Sequence, residues 1–192
     1  MKRITLLICT VFSACLLQAC HSNKNNEGDS DEGTTNTVID ASKKVTIIVG
    51  KDDAKFVIDV AQGCLAEIKI GALAKQKGQD KRIKNLGAMM VKDLTKGKGR
   101  LVALAKAKKI TLPDSISADE QKAIAELAKK SGKEFDHAYL DKIRVDYKKA
   151  LEQFQNTSKH AFDPEIKGFA AKNVLTIQRH LDLIDAVHGS MR

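Results

Sequence analysis

Four long stretches of the sequence repeat apolar residues at the spacing of an α-helix, and this repeat constrains the fold more than any other feature. The stretches span approximately residues 52–77, 79–108, 133–158 and 164–189. Each stripe predicts a helix with one buried side. A capping box from Ser117 to Glu120 predicts an extra short helix, which Gly132 ends. The pattern predicts an all-α fold, an antiparallel four-helix bundle with one short helix between helices 2 and 3.

The ends of the long helices also have sequence signals. Asp52 and Asp53 predict the N-cap of the first helix, and the pair Asp163-Pro164 predicts the start of the last. The second helix contains two glycines at positions 97 and 99, which predict a kink there. With 2 prolines, no tryptophan and 4% aromatic residues, the composition argues against a β-sandwich.

The N-terminus has the pattern of an export signal. Lys2 and Arg3 precede an uncharged apolar run that is too short to span a bilayer. The run ends in Leu-Gln-Ala-Cys, which resembles the lipobox of bacterial lipoproteins and implies lipidation of Cys20. The predicted domains are a lipoprotein signal peptide (1–19), the lipidated cysteine with a polar tether (20–51) and the bundle (52–190). The alternative is an ordinary secretory signal cut near Ala19. His21 favours sorting to the outer membrane, facing the periplasm or the cell surface.

Cysteine usage leaves no internal disulfide in the predicted mature chain. Of 4 cysteines, Cys9 and Cys15 leave with the signal peptide and Cys20 takes lipid. Cys64 remains alone in an apolar helical pattern, which indicates a small buried side chain rather than a reactive thiol.

Positive charge is concentrated in the predicted bundle. Residues 45–192 contain 28 basic and 19 acidic side chains, a net charge of +9. Such a domain is attracted to anionic lipid headgroups or to an anionic polymer of the envelope. The export signal and the lack of interleaved aromatic residues argue against nucleic acid. The predicted partners are therefore the membrane, through the lipid anchor, and an anionic envelope component.

Polar residues interrupt the apolar stripe of each long helix. Glu67, Asp93, Asp146 and His180 lie near the midpoints of their helices, and Asp136 shares the inward face of the third long helix. In an antiparallel bundle the four midpoint residues would meet at one level. Buried carboxylates are costly unless they are paired or bind a metal. The interior is therefore the candidate functional region.

A combination of residues resembles a known family, the ferritin-like bacterial envelope proteins grouped as domain of unknown function 4142. The resemblance covers approximately residues 52–188 and implies a four-helix, ferritin-like fold in an exported, often lipid-anchored protein, with no established reaction. It depends on Phe56, Glu67, the run Met89–Asp93, the run Phe135–Leu140 and the pair His180-Leu181.

The interior residues allow two interpretations. Di-iron bundles use a Glu-x-x-His motif. In this chain the corresponding segments are Asp93-x-x-Lys96 and Asp146-x-x-Lys149, with lysine in place of the histidine. One interpretation is a single iron, manganese or zinc ion. Its ligands would be drawn from Glu67, Asp93, Asp136, Asp146 and His180. The other, which we favour, is a structural network without cofactor. Its members would be Asp93, Asp146, His180, Tyr139 and Tyr147.

No catalytic residue is predicted, since the sequence lacks a phosphate loop, a zinc signature and a nucleophile elbow. The functional prediction is an exported, lipid-anchored envelope protein with a non-enzymatic binding or stress-related structural role. The alternative is a metal-binding protein or metal-dependent oxidoreductase that uses the interior cluster.

Overall fold

The structure, a computed structural model, describes residues 49–191, which form five helices and contain no strand. The all-α class and the extra short helix are confirmed. The helices are α1 (Lys51–Lys77), α2 (Lys81–Ala107), α3 (Ala118–Lys129), α4 (Gly132–His160) and α5 (Pro164–Gly189).

Two of the predicted helix starts are confirmed by their hydrogen bonds. The Ser117 hydroxyl accepts a hydrogen bond from the backbone N–H of Glu120 at 3.2 Å and caps α3. The Asp163 carboxylate accepts from the N–H groups of Glu165 and Ile166 at 2.9 and 3.1 Å, and Pro164 is the first residue of α5. These side chains satisfy backbone donors that the first turn of a helix leaves without a partner.

Other local predictions were wrong. The N-cap of α1 is Gly50, without a side-chain cap, while Asp53 is buried and accepts a hydrogen bond from the backbone N–H of Asp163 at 2.7 Å. Gly132 does not end α3, since it is the first residue of α4 and has a φ of 58°. Helix α2 continues through Gly97 and Gly99, and the predicted kink there stays a prediction.

Several predictions fall outside the described residues, among them the signal peptide, the lipidated Cys20 and the tether up to residue 48. Within residues 49–191, no helix is long and apolar enough to cross a membrane.

The helices pack as two pairs. Helix α1 packs along α2, and α4 packs along α5; α1 also contacts α4, and α2 contacts α5. The short helix α3 packs on α1 and α4. Glycine allows the close approach within the first pair: a Cβ on Gly87 would lie 2.5 Å from the carbonyl oxygen of Gly71. This distance is below any normal contact, so the packing of α1 on α2 requires glycine at position 87.

The buried apolar residues form two clusters, one toward each end of the helices. The first cluster surrounds the link between α1 and α2 and includes Ile83, Phe135, Tyr139 and Ile143. The second includes Phe56, Leu101, Phe154, Ile166 and Ala170. Between them lies the level at which the sequence places polar residues on the inward faces.

Candidate functional site

A partly open cavity of about 330 Å³ lies between the two apolar clusters. All four long helices and Glu120 of α3 contribute to its wall. About half of the lining side chains are apolar, among them Val60, Leu94, Leu101, Phe154, Phe169 and Ile177, and they supply most of the exposed wall surface. The polar part of the wall includes the four midpoint residues predicted to converge, Glu67, Asp93, Asp146 and His180.

On one side of the cavity, two carboxylates share a lysine. The Lys142 ammonium lies 2.9 Å from the carboxylate of Asp146 and 2.8 Å from that of Glu120. Burial disfavours the charged ammonium, but the hydrogen bonds to Glu120 and Asp146 more than offset this and raise the pKa of Lys142. The short helix α3 therefore contributes to the site, because its Glu120 completes the ion pair.

Glu67 lies beside this ion pair, on α1. Burial raises the pKa of Glu67 well above its ordinary value of 4.5, and the negative charge of Asp146 and a hydrogen bond with it raise the pKa further. Glu67 therefore stays protonated at pH values where an ordinary glutamate ionises, and donates a hydrogen bond to Asp146.

On the α2–α5 side of the cavity, His180 pairs with Asp93. The His180 Nε2 lies 3.1 Å from the Asp93 Oδ2, and the imidazole is buried while the Asp93 side chain is 42% exposed. The imidazole also packs edge-on against the Tyr147 ring, with ring centroids 5.7 Å apart. This pair joins α2 to α5 and closes one part of the cavity wall.

Two tyrosines lie close to Glu67, but neither hydroxyl joins the predicted network. The Tyr147 hydroxyl donates to the Met90 sulfur at 3.0 Å, and the buried Tyr139 hydroxyl has no partner among the described residues. Burial, together with the charge of Glu67, raises the pKa of both phenols. Both tyrosines are therefore neutral core residues at physiological pH.

The fifth predicted ligand, Asp136, lies away from the cavity. Its carboxylate is buried and accepts hydrogen bonds from the backbone N–H groups of Gln79 and Asp80 at 2.9 and 2.8 Å. Both oxygens are engaged in fixing the link between α1 and α2. This position gives Asp136 a structural role that the helical periodicity alone does not distinguish from a ligand role.

The structure shows two separate groups of side chains in place of the one predicted network. Asp146 pairs with Lys142 and Glu67 rather than with His180, which pairs with Asp93. Across residues 49–191, no three His, Cys, Asp or Glu side chains come together in an arrangement that could hold a metal ion.

The prediction from sequence missed Lys142 and Glu120. Lys142 precedes Asp146 by four residues, a helical spacing that brings two side chains together and could have been recognised. Glu120 was assigned only to a capping box, and its contact with Lys142 depends on how α3 packs on α4. Cys64 was expected to be buried; it lines the cavity, and its thiol donates to the carbonyl oxygen of Leu94 at 3.6 Å.

Comparison with known proteins identifies a family and a fold. The model of the family described as domain of unknown function (DUF4142) matches residues 41–187. A DUF305 fragment from Deinococcus radiodurans superposes with a TM-score of 0.65 at 14% identity, over 74% of this chain and 98% of that one. A DUF305 protein from Streptomyces coelicolor gives 0.61 at 13% identity, over 73% and 93%. Among curated proteins, no sequence matches this chain. The structural likeness, at these identities, shows the fold alone.

Proposed function

We propose that this chain, which belongs to the DUF4142 family, is an exported, lipid-anchored envelope protein that binds a small ligand in a central cavity and catalyses no reaction on it. Its helical domain is, in this proposal, an antiparallel four-helix bundle of the ferritin-like type. The order of contacts supports the antiparallel arrangement: Gly71 of α1 meets Gly87 of α2, whereas the earlier Cys64 meets the later Leu94.

The cavity is the observation that carries the binding role. Its volume of about 330 Å³ lies at the small end of the range for ligand pockets. The exposed surface of its wall is mostly apolar, as in such sites, although polar and charged side chains also line it. The ligand that fits best is a small, largely apolar molecule with one hydrogen-bonding head. The head would reach the protonated Glu67, while the apolar body would lie against residues such as Leu101 and Phe154.

The state of the polar groups supports binding rather than catalysis. Asp146 is paired with Lys142, and Asp93 is paired with His180, so each carboxylate already has a partner within the protein. Burial raises the pKa of the Cys64 thiol, which makes it a poor nucleophile at neutral pH. The cavity therefore presents neither an activated nucleophile nor an unpaired general base.

A neutral fluorescent probe tests the cavity. N-phenyl-1-naphthylamine should bind the full chain and gain fluorescence, and Gly97→Leu should abolish this binding. Gly97 lines the cavity, and a Cβ added there meets no atom within 4 Å, so the leucine side chain fills the space without displacing backbone. The matched control is Gly99→Leu, two residues away on the exposed side of α2. Equal probe binding by the two variants would contradict the proposal.

Lipid anchoring is supported by the sequence alone, since Cys20 follows the apolar run and the small residues of the lipobox. The variant Cys20→Ser should leave the membrane fraction or stay uncleaved, and should take up no labelled fatty acid. Fatty-acid labelling equal to that of the parent would contradict the anchor without affecting the cavity.

A metal-binding function is the second candidate. The observation that favours it is the pair Asp93–His180 on the cavity wall. A carboxylate and an imidazole are ligand types for iron, manganese and zinc. Element analysis of protein purified without chelator tests it. Stoichiometric metal that is lost in His180→Ala would favour this candidate over the organic ligand.

A further inference from the structure

The positive charge of the domain is concentrated on one helix. Helix α2 has eight basic side chains and one acidic side chain, Asp93, so it contributes +7 of the net +9 of residues 45–192. We define the cationic face of α2 by its eight basic residues, all of them exposed. They are Lys81, Arg82, Lys84, Lys92, Lys96, Lys98, Arg100 and Lys106.

Within residues 49–191, most cations of this face have no acidic partner. Arg82 pairs with Asp80 at 2.6 Å, and the other seven form no ion pair with any residue of 49–191. In contrast, α4 has nearly balanced charge, and its Lys142 and Arg144 pair with Glu120 and Asp185. Unpaired like charges along one helix repel each other, so the cationic face is at a disadvantage unless an anionic surface neutralises it.

The geometry of the face indicates a flat partner. The 27 residues of α2 extend about 40 Å, and at 100° per residue the cations span roughly 200° around the helix, opposite the buried stripe that contains Leu86, Met90 and Leu101. Long lysine and arginine side chains on both flanks can reach one plane, because their apolar stems are flexible. A thin linear polymer would contact only one line of this arc.

The chemistry of the face indicates adsorption by charge. Val102 is its one large exposed apolar residue, and α2 contains no aromatic residue. The face therefore has neither the apolar surface that inserts into a bilayer nor the aromatic rings that stack on nucleic-acid bases.

We propose that the cationic face of α2 is the side of the domain that lies on a membrane surface rich in anionic headgroups. This inference rests on the proposed lipid anchor, which would hold the domain near such a surface and so raise its effective concentration there. The domain would then have a defined orientation, with α2 against the lipid and α4 away from it.

Lysine labelling tests the orientation. The lipidated full chain is reconstituted in vesicles of phosphatidylcholine alone or with added phosphatidylglycerol, and treated with a membrane-impermeant amine reagent. With the anionic lipid, labelling of Lys84, Lys92 and Lys96 should fall roughly fivefold. This is the change in equilibrium constant that corresponds to the attraction of one lysine to such a surface. Labelling of Lys148, exposed on α4, should not change. The protection should disappear at about 1 M salt.

Charge-reversed variants supply the control. Lys92→Glu combined with Lys96→Glu should lose the protection of Lys84, and Lys148→Glu combined with Lys159→Glu on α4 should keep it. Equal protection of α2 and α4 lysines would overturn the inference. A soluble acidic polysaccharide, added to neutral vesicles, could also protect the α2 lysines. If it protects them as strongly as phosphatidylglycerol does, the inference is overturned.

Flotation of the vesicles in a density gradient shows whether the chain is bound to them. A chain that floats with neither kind of vesicle contradicts the anchor and, with it, this inference. A chain that floats with both vesicles but shows no protection on α2 contradicts this inference alone.

Discussion

The variant Glu67→Gln is expected to remove a specific pH dependence of stability. Glutamine keeps the size of the side chain and its N–H can donate to Asp146, but it does not titrate. Because the folded-state pKa of Glu67 is raised well above 4.5, the folded protein holds a proton that the unfolded chain releases. The stability contributed by this group is therefore fully present below about pH 4.5 and is lost as the pH rises through the folded-state pKa.

The size of the effect follows from the linkage between protonation and folding. Each unit of pKa difference corresponds to about 1.4 kcal/mol, so the parent loses up to about 1.4 kcal/mol per pH unit from this group inside the window. Near pH 4, parent and variant should agree within about 1 kcal/mol, the net value of one hydrogen bond. Above pH 4.5, the free energy of unfolding of Glu67→Gln should increasingly exceed that of the parent.

Urea unfolding at a series of pH values from 4 to 9 measures this difference. The charged and titratable groups that face Glu67, namely Asp146, Lys142, Glu120, Tyr139 and Tyr147, are the same in both proteins and largely cancel. The matched control is Glu152→Gln on the exposed side of α4, whose difference from the parent should not change with pH. A difference for Glu67→Gln that stays constant from pH 4 to pH 9 would refute the shared-proton description.

Three further perturbations test the packing. Gly87→Ala should destabilise the fold by about 2 kcal/mol, because its Cβ would lie 2.5 Å from the Gly71 carbonyl oxygen. Gly99→Ala should instead stabilise the fold by about 1 kcal/mol, because alanine has a higher helix propensity than glycine. Urea unfolding compares the two variants with the parent. Asp136→Ala should cost about 2 kcal/mol in the same assay, because two backbone N–H groups lose their acceptor, and Asp136→Asn, which keeps one acceptor, should cost less. His180→Ala should cost about 1 kcal/mol rather than the full penalty of a buried pair, since Asp93 is 42% exposed, and thermal melts of parent and variant should be unchanged by a chelator. A melting temperature of the parent that is lower with chelator than without it would favour the metal alternative.

The fold could be predicted from the sequence because local signals agree with packing. The helical spacing predicted the bounds of all four long helices within about two residues, since their buried stripes recur without interruption. Local capping signals were less decisive. Asp53 has the residue type of an N-cap, but it is buried against the start of α5, a contact between residues 110 positions apart in the sequence.

The candidate site could be predicted only in part. Helical periodicity places Glu67, Asp93, Asp146 and His180 at one level, and all four line the same cavity. Periodicity does not reveal which of them pair, because pairing depends on the rotation of each helix and on α3. Lys142 competes with His180 for Asp146 from within the same helix, so the local contact forms in place of the long-range one.

The most direct test of the binding role is native mass spectrometry of the full chain extracted from its own envelope in mild detergent. We expect an adduct of one small organic molecule on the parent and on Gly99→Leu, and its loss in Gly97→Leu, which fills the cavity. Parent protein that carries no adduct, or an adduct that survives unchanged in Gly97→Leu, would contradict the claim that the cavity between the two apolar clusters is a ligand site.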